Sequence, residues 1–368
     1  VRLGVEAALV RGELVPGDVE VEDGRIEAVG LASTTRGKVA IPGFVDLQVN
    51  GYGGVDFLSA SQEDYARAGE ALLVAGVTAY QPTFITSTQA ATVEALHAMP
   101  TSASGPRIIG AHLEGPFLSP EHPGAHPLEH LRTPDLELLD RLLIAGNVTQ
   151  MTLAPELPGA DTLIERLRER GIAIAAGHTN ATAAEAEHAF ELGVGAITHV
   201  FNAMRPFRSR DPGIAGVALT RPDVLITIVV DGHHLAAETV RLVWGCAAGR
   251  VALISDAIAA AGSVIDGATF QLGDVAVEIG DGAPPMREDG TLAGTVLTMI
   301  DAVRNLHALG ASFEEAVGAA TEVPARLLGR SDIGVLEPGA PADTVVLDDR
   351  LEIQSVLCSG RCDVVARN

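Results

Sequence analysis

The sequence predicts an α/β protein: a (β/α)8 TIM-like barrel carrying a small β-sandwich domain formed by both chain ends. Three observations lead there. Eight apolar, strand-like runs alternate with helical segments through the middle of the chain. Short strand-rich segments of similar character lie at the two ends, and polar side chains suited to metal or acid/base chemistry recur at the carboxyl ends of the central runs.

The first forty residues read as short strands joined by turns, with Asp23-Gly24 in "VEDGRIEAVG" as a hairpin turn. The tail "GVLEPGAPADTVVLDDRLEIQSVLCSGRCDVV" has the same character, so residues 1–41 and 335–368 are expected to form the two parts of one small domain. Between them, residues 42–334 hold the barrel. Its candidate strands are "PGFVDLQV" (42–49), "TAYQPT" (78–83), "PRIIGAHLE" (106–114), "VTQMTLAP" (148–155), "GIAIAAGH" (171–178), "GAITHVFN" (195–202), "VLITIVVDGH" (224–233) and "RVALISDA" (250–257).

Helices fill the gaps. Ser61 followed three residues later by Asp64 is a capping signal before "QEDYARAGEALLVAG". Thr133 is the expected cap of "PDLELLDRLLIAG", with Pro134 at the first helical position, and Gly193 marks the end of "NATAAEAEHAFELG". Residues 265–290 break the alternation and read as an inserted strand pair and loop. The rival architecture is an open doubly wound sheet, but no GxGxxG turn follows the first strand, which removes its usual nucleotide-binding form.

Composition bounds the function. A 47% hydrophobic content in 368 residues supports a large packed core, and a net charge of -23 argues against a general nucleic-acid surface. The basic run "RPFRSR" at 205–210 stands apart and suits a small anionic ligand. Cys246, Cys358 and Cys362 match no metal spacing and read as reduced thiols, with buried packing expected for Cys246. No leader-like start and no charge-free run of membrane-spanning length stand out, so a cytoplasmic protein without membrane contact is expected.

The strand ends carry the chemistry. Glu114 closes the third run, His178 the fifth, His199 the sixth and Asp256 the eighth. Singly, each is most simply a buried, hydrogen-bonded polar group. Together, one carboxylate and two imidazoles form a three-ligand set for zinc or another divalent transition metal, with a position left for water. Asp256 is then placed to take a proton from that water and deliver it to a leaving group, although a helix-capping role would favour the same position. Gln48 and Asn50 share one strand face, where neutral amides are poor transition-metal ligands. They argue for one metal rather than a bridged pair, and either hold a water, orient the metal's surroundings by hydrogen bonds, or are structural.

The ordered set "PGFVDLQVNG", "HLEGPFLSPEHPGAH", "GHTNAT", "THVFNAM", "DGHH" and "LISDA", extended by "LAGTVLTMIDAVRN" and "GVLEPGAPADTVVLD", resembles the N-acetylglucosamine-6-phosphate deacetylase family of the amidohydrolase superfamily. The resemblance implies a metal-bearing barrel that hydrolyses N-acetyl-D-glucosamine 6-phosphate to D-glucosamine 6-phosphate and acetate. It makes Glu114, His178 and His199 the metal ligands, Asp256 the acid/base, and His126 the donor that polarises the acetamide carbonyl. It also implies that the backbone amides of Asn202 and Ala203, with Arg210 and His234, bind the phosphate. Gln48 and Asn50 match the family's single-metal branch, for which zinc is the first choice and Fe2+ or another divalent ion the alternative. A homodimer is implied too, with contacts to the phosphate supplied across the interface. The alternatives are a deacetylase for another amino sugar phosphate such as the galactosamine epimer, a cyclic-amide hydrolase, or a noncatalytic sugar-phosphate sensor.

Overall fold

A computed structural model describes residues 1–101, 105–263, 269–280 and 283–365. All eight expected barrel strands are present: β1 (Phe44–Val49), β2 (Val77–Ile85), β3 (Ala111–Glu114), β4 (Val148–Leu153), β5 (Ala173–Ala176), β6 (Ala196–Ile197), β7 (Leu225–Ile228) and β8 (Val251–Leu253). Each pairs in parallel with the next around the ring. Every residue of β1 and β2 is buried, as expected where barrel strands are covered inside by side chains and outside by helices. Closure between β8 and β1 runs through the segment after β8: Asp256 N–H donates to Gln48 O at 3.0 Å, and Asn50 N–H to Ala257 O at 2.8 Å.

Several strands are shorter than the apolar runs that announce them, for a local reason. His178, His199 and Asp256 have φ of 49°, 31° and 49°, in the left-handed region that extended chain cannot occupy. The strand must stop before each.

Local signals at most helix ends behave as expected. Ser61 and Asp64 form a reciprocal capping box on the helix Gln62–Val74, and Gly193 ends Ala183–Leu192 at φ 118°. The cap at Thr133 is corrected: Asp135 caps Leu136–Ala145, because its carboxylate accepts from both Glu137 and Leu138 N–H groups. Cys246 is also corrected. It is exposed, since the helix Ala237–Ala247 turns Val240, Val243 and Ala247 inward instead.

The two ends meet in one six-stranded sheet, where Thr344–Asp348 lies antiparallel to Lys38–Pro42. A hairpin, Asp18–Glu22 with Arg25–Leu31, packs against it across an apolar cluster that includes Val5, Val19, Ile26, Leu336, Val346 and Leu357. Its turn residues Asp23 and Gly24 both have positive φ, which matches the right-handed twist of the strands. The expected insertion contains the antiparallel pair Thr269–Leu272 and Val275–Glu278; residues 265–268 and 281–282 of that stretch lie outside the described residues. No helix among the described residues is long and apolar enough to cross a membrane.

Candidate active site

The polar strand ends converge at the carboxyl mouth of the barrel. Glu114 Oε1 lies 3.1 Å from His199 Nε2 and 3.3 Å from His178 Nε2, and the two imidazole nitrogens are 3.1 Å apart. One ligand atom from each residue lies within 4.8 Å of the others, and all three side chains are buried. Two facing imidazole nitrogens this close cannot both carry protons in line. Two imidazole nitrogens with one carboxylate oxygen form a donor set that suits a divalent transition metal.

Neighbouring contacts prepare these atoms. His178 Nδ1–H donates to the His122 carbonyl at 3.1 Å, which leaves Nε2 as the ligand nitrogen. Thr86 N–H donates to His126 Nδ1 at 3.2 Å, so a neutral His126 carries its proton on Nε2, which faces Glu114 Oε2 at 3.6 Å. His126 thus presents an N–H to the cavity. His199 Nδ1 is buried without a hydrogen-bond partner among the described residues.

The electrostatics arise from burial and the carboxylates. Burial lowers His178 to about 4, with the neighbouring His126 working in the same direction. Burial opposes ionisation of Glu114, but hydrogen bonds from His126, His178 and His199 outweigh it and hold the carboxyl well below its ordinary range. His199 is raised despite its burial, by the Glu114 hydrogen bond and the charges of Glu114 and Asp256. Asp256 is raised by burial and by the Glu114 charge.

Gln48 and Asn50 reach this cluster from β1. Gln48 Nε2 donates to Glu114 Oε1 at 3.2 Å and to Asp256 Oδ1 at 3.1 Å, and Asn50 Nδ2 donates to the same Asp256 oxygen at 2.8 Å. Deeper in the barrel, Asp46 Oδ1 accepts from the Gln48 and Ser255 N–H groups, and burial pushes this carboxyl up to about 7.

A cavity of about 240 Å³ opens over the cluster, lined by Asn50, Glu114, His126, His178, His199, Asn202, Ala203, His234 and Asp256, with Ile85, Leu272 and Leu292 as its apolar wall. A larger cavity of about 610 Å³ beside Asp231, His233 and Asp301 includes none of the ligand residues. His234 Nδ1 meets Asp231 Oδ2 at 2.8 Å, which leaves Nε2 for a ligand. Burial works against Asp231 ionisation, but the hydrogen bond and charge of His234 bring its carboxyl to about 2.

Two sequence expectations meet different geometry. Asn202 already donates its backbone N–H to His199 O at 3.0 Å and its side-chain amide to His199 O and Val200 O, so only Ala203, at φ 46°, keeps a backbone N–H without an acceptor among the described residues. Arg210 is exposed and does not line the cavity. Reciprocal backbone bonds between Arg208 and Asp211 fold its loop into a tight turn, and Arg205, paired to Asp211 at 2.8 Å and to Asn180 at 3.0 Å, staples the base. The orienting roles of Thr86, His122 and Asp231 are not legible in the sequence alone. Thr86 acts through its backbone N–H, which any residue but proline would offer, so the side chain at that position gives no signal for the role.

The amidohydrolase family profile matches residues 39–363. The human protein named N-acetylglucosamine-6-phosphate deacetylase is 36% identical over 95% of this chain and 92% of its own. An Escherichia coli O157:H7 protein named N-acetylgalactosamine-6-phosphate deacetylase is 32% identical over 91% of each. The structure of a variant N-acetyl-D-glucosamine-6-phosphate deacetylase from Mycobacterium smegmatis, in complex with N-acetyl-D-glucosamine-6-phosphate, superposes with a TM-score of 0.90 at 31% identity over 99% of both chains. With this match in sequence and in fold, the chain belongs to the N-acetylglucosamine-6-phosphate deacetylase family of the amidohydrolases.

Proposed function

We propose that the chain hydrolyses the acetamide of N-acetyl-D-glucosamine 6-phosphate, giving D-glucosamine 6-phosphate and acetate. The observation that carries the reading is the meeting, in one cavity, of the Glu114, His178 and His199 donor set with a buried Asp256 and a His126 Nε2–H. Glu114, His178 and His199 would hold one divalent ion, zinc in the first instance and Fe2+ as the alternative. Such an ion polarises its water and lowers the water's pKa toward roughly 7. Asp256 takes the proton released as water attacks the acetyl carbon and returns it to the departing nitrogen. His126 Nε2–H donates to the carbonyl oxygen as negative charge develops there. His234 and the Ala203 N–H favour an anion at the far side of the cavity and orient the substrate before chemistry.

The exposed Arg210 supports a homodimer in which this loop serves the phosphate of the neighbouring subunit. We assign residues 1–41 and 335–368 to a small β-domain and 42–334 to the catalytic barrel, on the strength of the separate apolar cluster that joins the two ends. The exposed thiol of Cys246 supports work in the cytoplasm, where thiols stay reduced. The second reading is the galactosamine epimer, favoured by the relative named for it.

The test is acetate release by metal-quantified protein from both epimers of the 6-phosphate, from unphosphorylated N-acetylglucosamine, and by the Asp256→Asn variant. Turnover of the gluco epimer at about one metal per chain, lost in the variant and much reduced without phosphate, is expected. Preference for the galacto epimer supports the second reading, and no turnover of either by metal-loaded protein refutes both.

A further inference from the structure

Three loops of the barrel mouth meet at Asn180, two residues beyond the ligand His178. Its side-chain oxygen accepts from Arg205 Nη1–H at 3.0 Å and lies 3.3 Å from His122 Nε2. A guanidinium only donates, so the amide atom shared by the two is Oδ1, and His122 meets it with its Nε2–H. Asn180 is itself held from behind. Its backbone N–H donates to Glu156 Oε1 at 2.7 Å, and Thr179 Oγ1–H donates to Glu156 Oε2.

The two donors lead to different parts of the site. The carbonyl of His122 accepts from His178 Nδ1–H at 3.1 Å, so one arm reaches a metal-ligand residue. Arg205 pairs with Asp211 at 2.8 Å and closes the turn that carries Arg210, so the other arm reaches the anion side. These arms are not equally supported. His122 N–H also bonds Ser119 O at 3.1 Å, and Ser119 N–H bonds His178 O at 2.8 Å. Arg205 spends Nε and Nη2 on Asp211, within its own turn, and among the described residues Asn180 is the only side chain outside that turn that it bonds. Backbone bonds from Thr179 N–H to Ala203 O and from Arg205 N–H to Thr179 O fix where the turn begins; its direction rests on Asn180.

We propose that Asn180 is a positioning residue for phosphorylated substrate: its Oδ1 fixes the anion-binding turn relative to the metal-ligand set, so that a substrate held by its phosphate presents its acetamide in register. The inference rests on the deacetylation reading and gives Asn180 no contact with substrate or metal. A phosphate remote from the reacting bond speeds the chemistry only when its binding energy orients the amide, and that requires a fixed separation of the two binding points. Removing the acceptor leaves the Arg205 and His122 N–H groups unpaired in a half-buried place, and the turn shifts to find other partners. The same consequence follows whether Arg210 serves the phosphate of its own subunit or that of the neighbour, since both copies of the turn are held in this way.

The experiment measures kcat/KM on N-acetylglucosamine 6-phosphate and on N-acetylglucosamine for metal-quantified wild type, Asn180→Leu and Asn180→Asp. The ratio of the two is read, because a smaller folded or metal-loaded fraction lowers both alike and cancels. Expected in Asn180→Leu is a fall of about 10-fold or more in that ratio, carried by the phosphorylated substrate. Asn180→Asp keeps an acceptor of the same reach and should stand closer to wild type than to Asn180→Leu. Asn180→Ala supplies the same comparison should the leucine variant fail to fold. With a wild type that turns over the phosphorylated sugar, an unchanged ratio in Asn180→Leu, or an aspartate variant as impaired as the leucine one, overturns this inference alone, as does a wild type with no preference for the phosphate. A wild type inactive on N-acetylglucosamine 6-phosphate sinks the deacetylation reading beneath it.

Discussion

Asp46→Asn should stabilise the protein, and more so as pH rises. Asp46 is fully buried in the barrel beneath the site, with Oδ2 unpartnered among the described residues, and burial raises its carboxyl to about 7 against the hydrogen bonds of Ser255 and Gln48. An unfolded Asp titrates near 3.9. Because the folded pKa is the higher one, the folded state is favoured below about pH 4, and that advantage is lost progressively as pH rises to about 7. Three pKa units at 1.36 kcal/mol each give a full span of about 4 kcal/mol, of which about 2 to 3 kcal/mol falls between pH 5 and pH 8. The assay is urea unfolding of wild type and Asp46→Asn at both pH values with equal metal loading. Taking the variant-minus-wild-type difference at each pH cancels the other titrating groups and the metal. A difference that grows by about 2 kcal/mol from pH 5 to pH 8 is expected; one that is flat, or that shrinks, refutes a neutral Asp46 and the burial argument behind it.

Gly124→Ala should weaken the metal site without unfolding the barrel: Gly124 has φ 55°, and an added Cβ would stand 2.9 Å from His178 Cε1, so a stability loss of about 1 to 2 kcal/mol is expected with a lowered metal content by elemental analysis. His126→Phe should keep the metal and lower kcat by about 100- to 1,000-fold, because it removes the donor aimed at the carbonyl oxygen but no ligand; retained kcat would refute that role. Glu114→Gln should fall well below one metal per chain and lower the unfolding midpoint of the metal-free protein at neutral pH, because a carboxyl held well below its ordinary range by His126, His178 and His199 favours the folded state; an unchanged or raised midpoint would refute that balance.

The part of the molecule legible in the sequence is the part governed by strand periodicity and by short-range signals. Glu114, His178, His199 and Asp256 each end an apolar run, and a closed barrel has only one place to bring such ends together. The Ser61 capping box and the Asp23-Gly24 turn are complete within four residues. The contacts that set the chemistry of the site are of another kind. Thr86 fixes the His126 tautomer across forty residues, and Gln48 reaches Asp256 across two hundred and eight. Neither pairing leaves a periodic trace. Asn202 shows the same limit in its backbone: the motif places it near the anion side, but only the fold reveals that its N–H is already bonded to His199 O.

The left-handed residues connect these two levels. A non-glycine residue with positive φ costs roughly 1 to 2 kcal/mol, and three of the four strand-end groups, His178, His199 and Asp256, adopt it. Polarity alone does not require this, since Glu114 reaches the same cluster from a regular strand. The difference lies in the path of the chain beyond each residue. After His199 and Asp256 the chain turns back across the barrel mouth, where Asn202 N–H bonds His199 O and Thr295 N–H bonds Asp256 O at 2.9 Å. At His178, Ser119 N–H bonds the His178 carbonyl at 2.8 Å and ties the loop that carries His122 and His126 to the ligand. The strained carbonyls are therefore the anchors of the loops that supply the rest of the site. The strain that shortens the strands is offset by those bonds, and the same bonds fix the loops whose side chains orient the ligands and face the substrate.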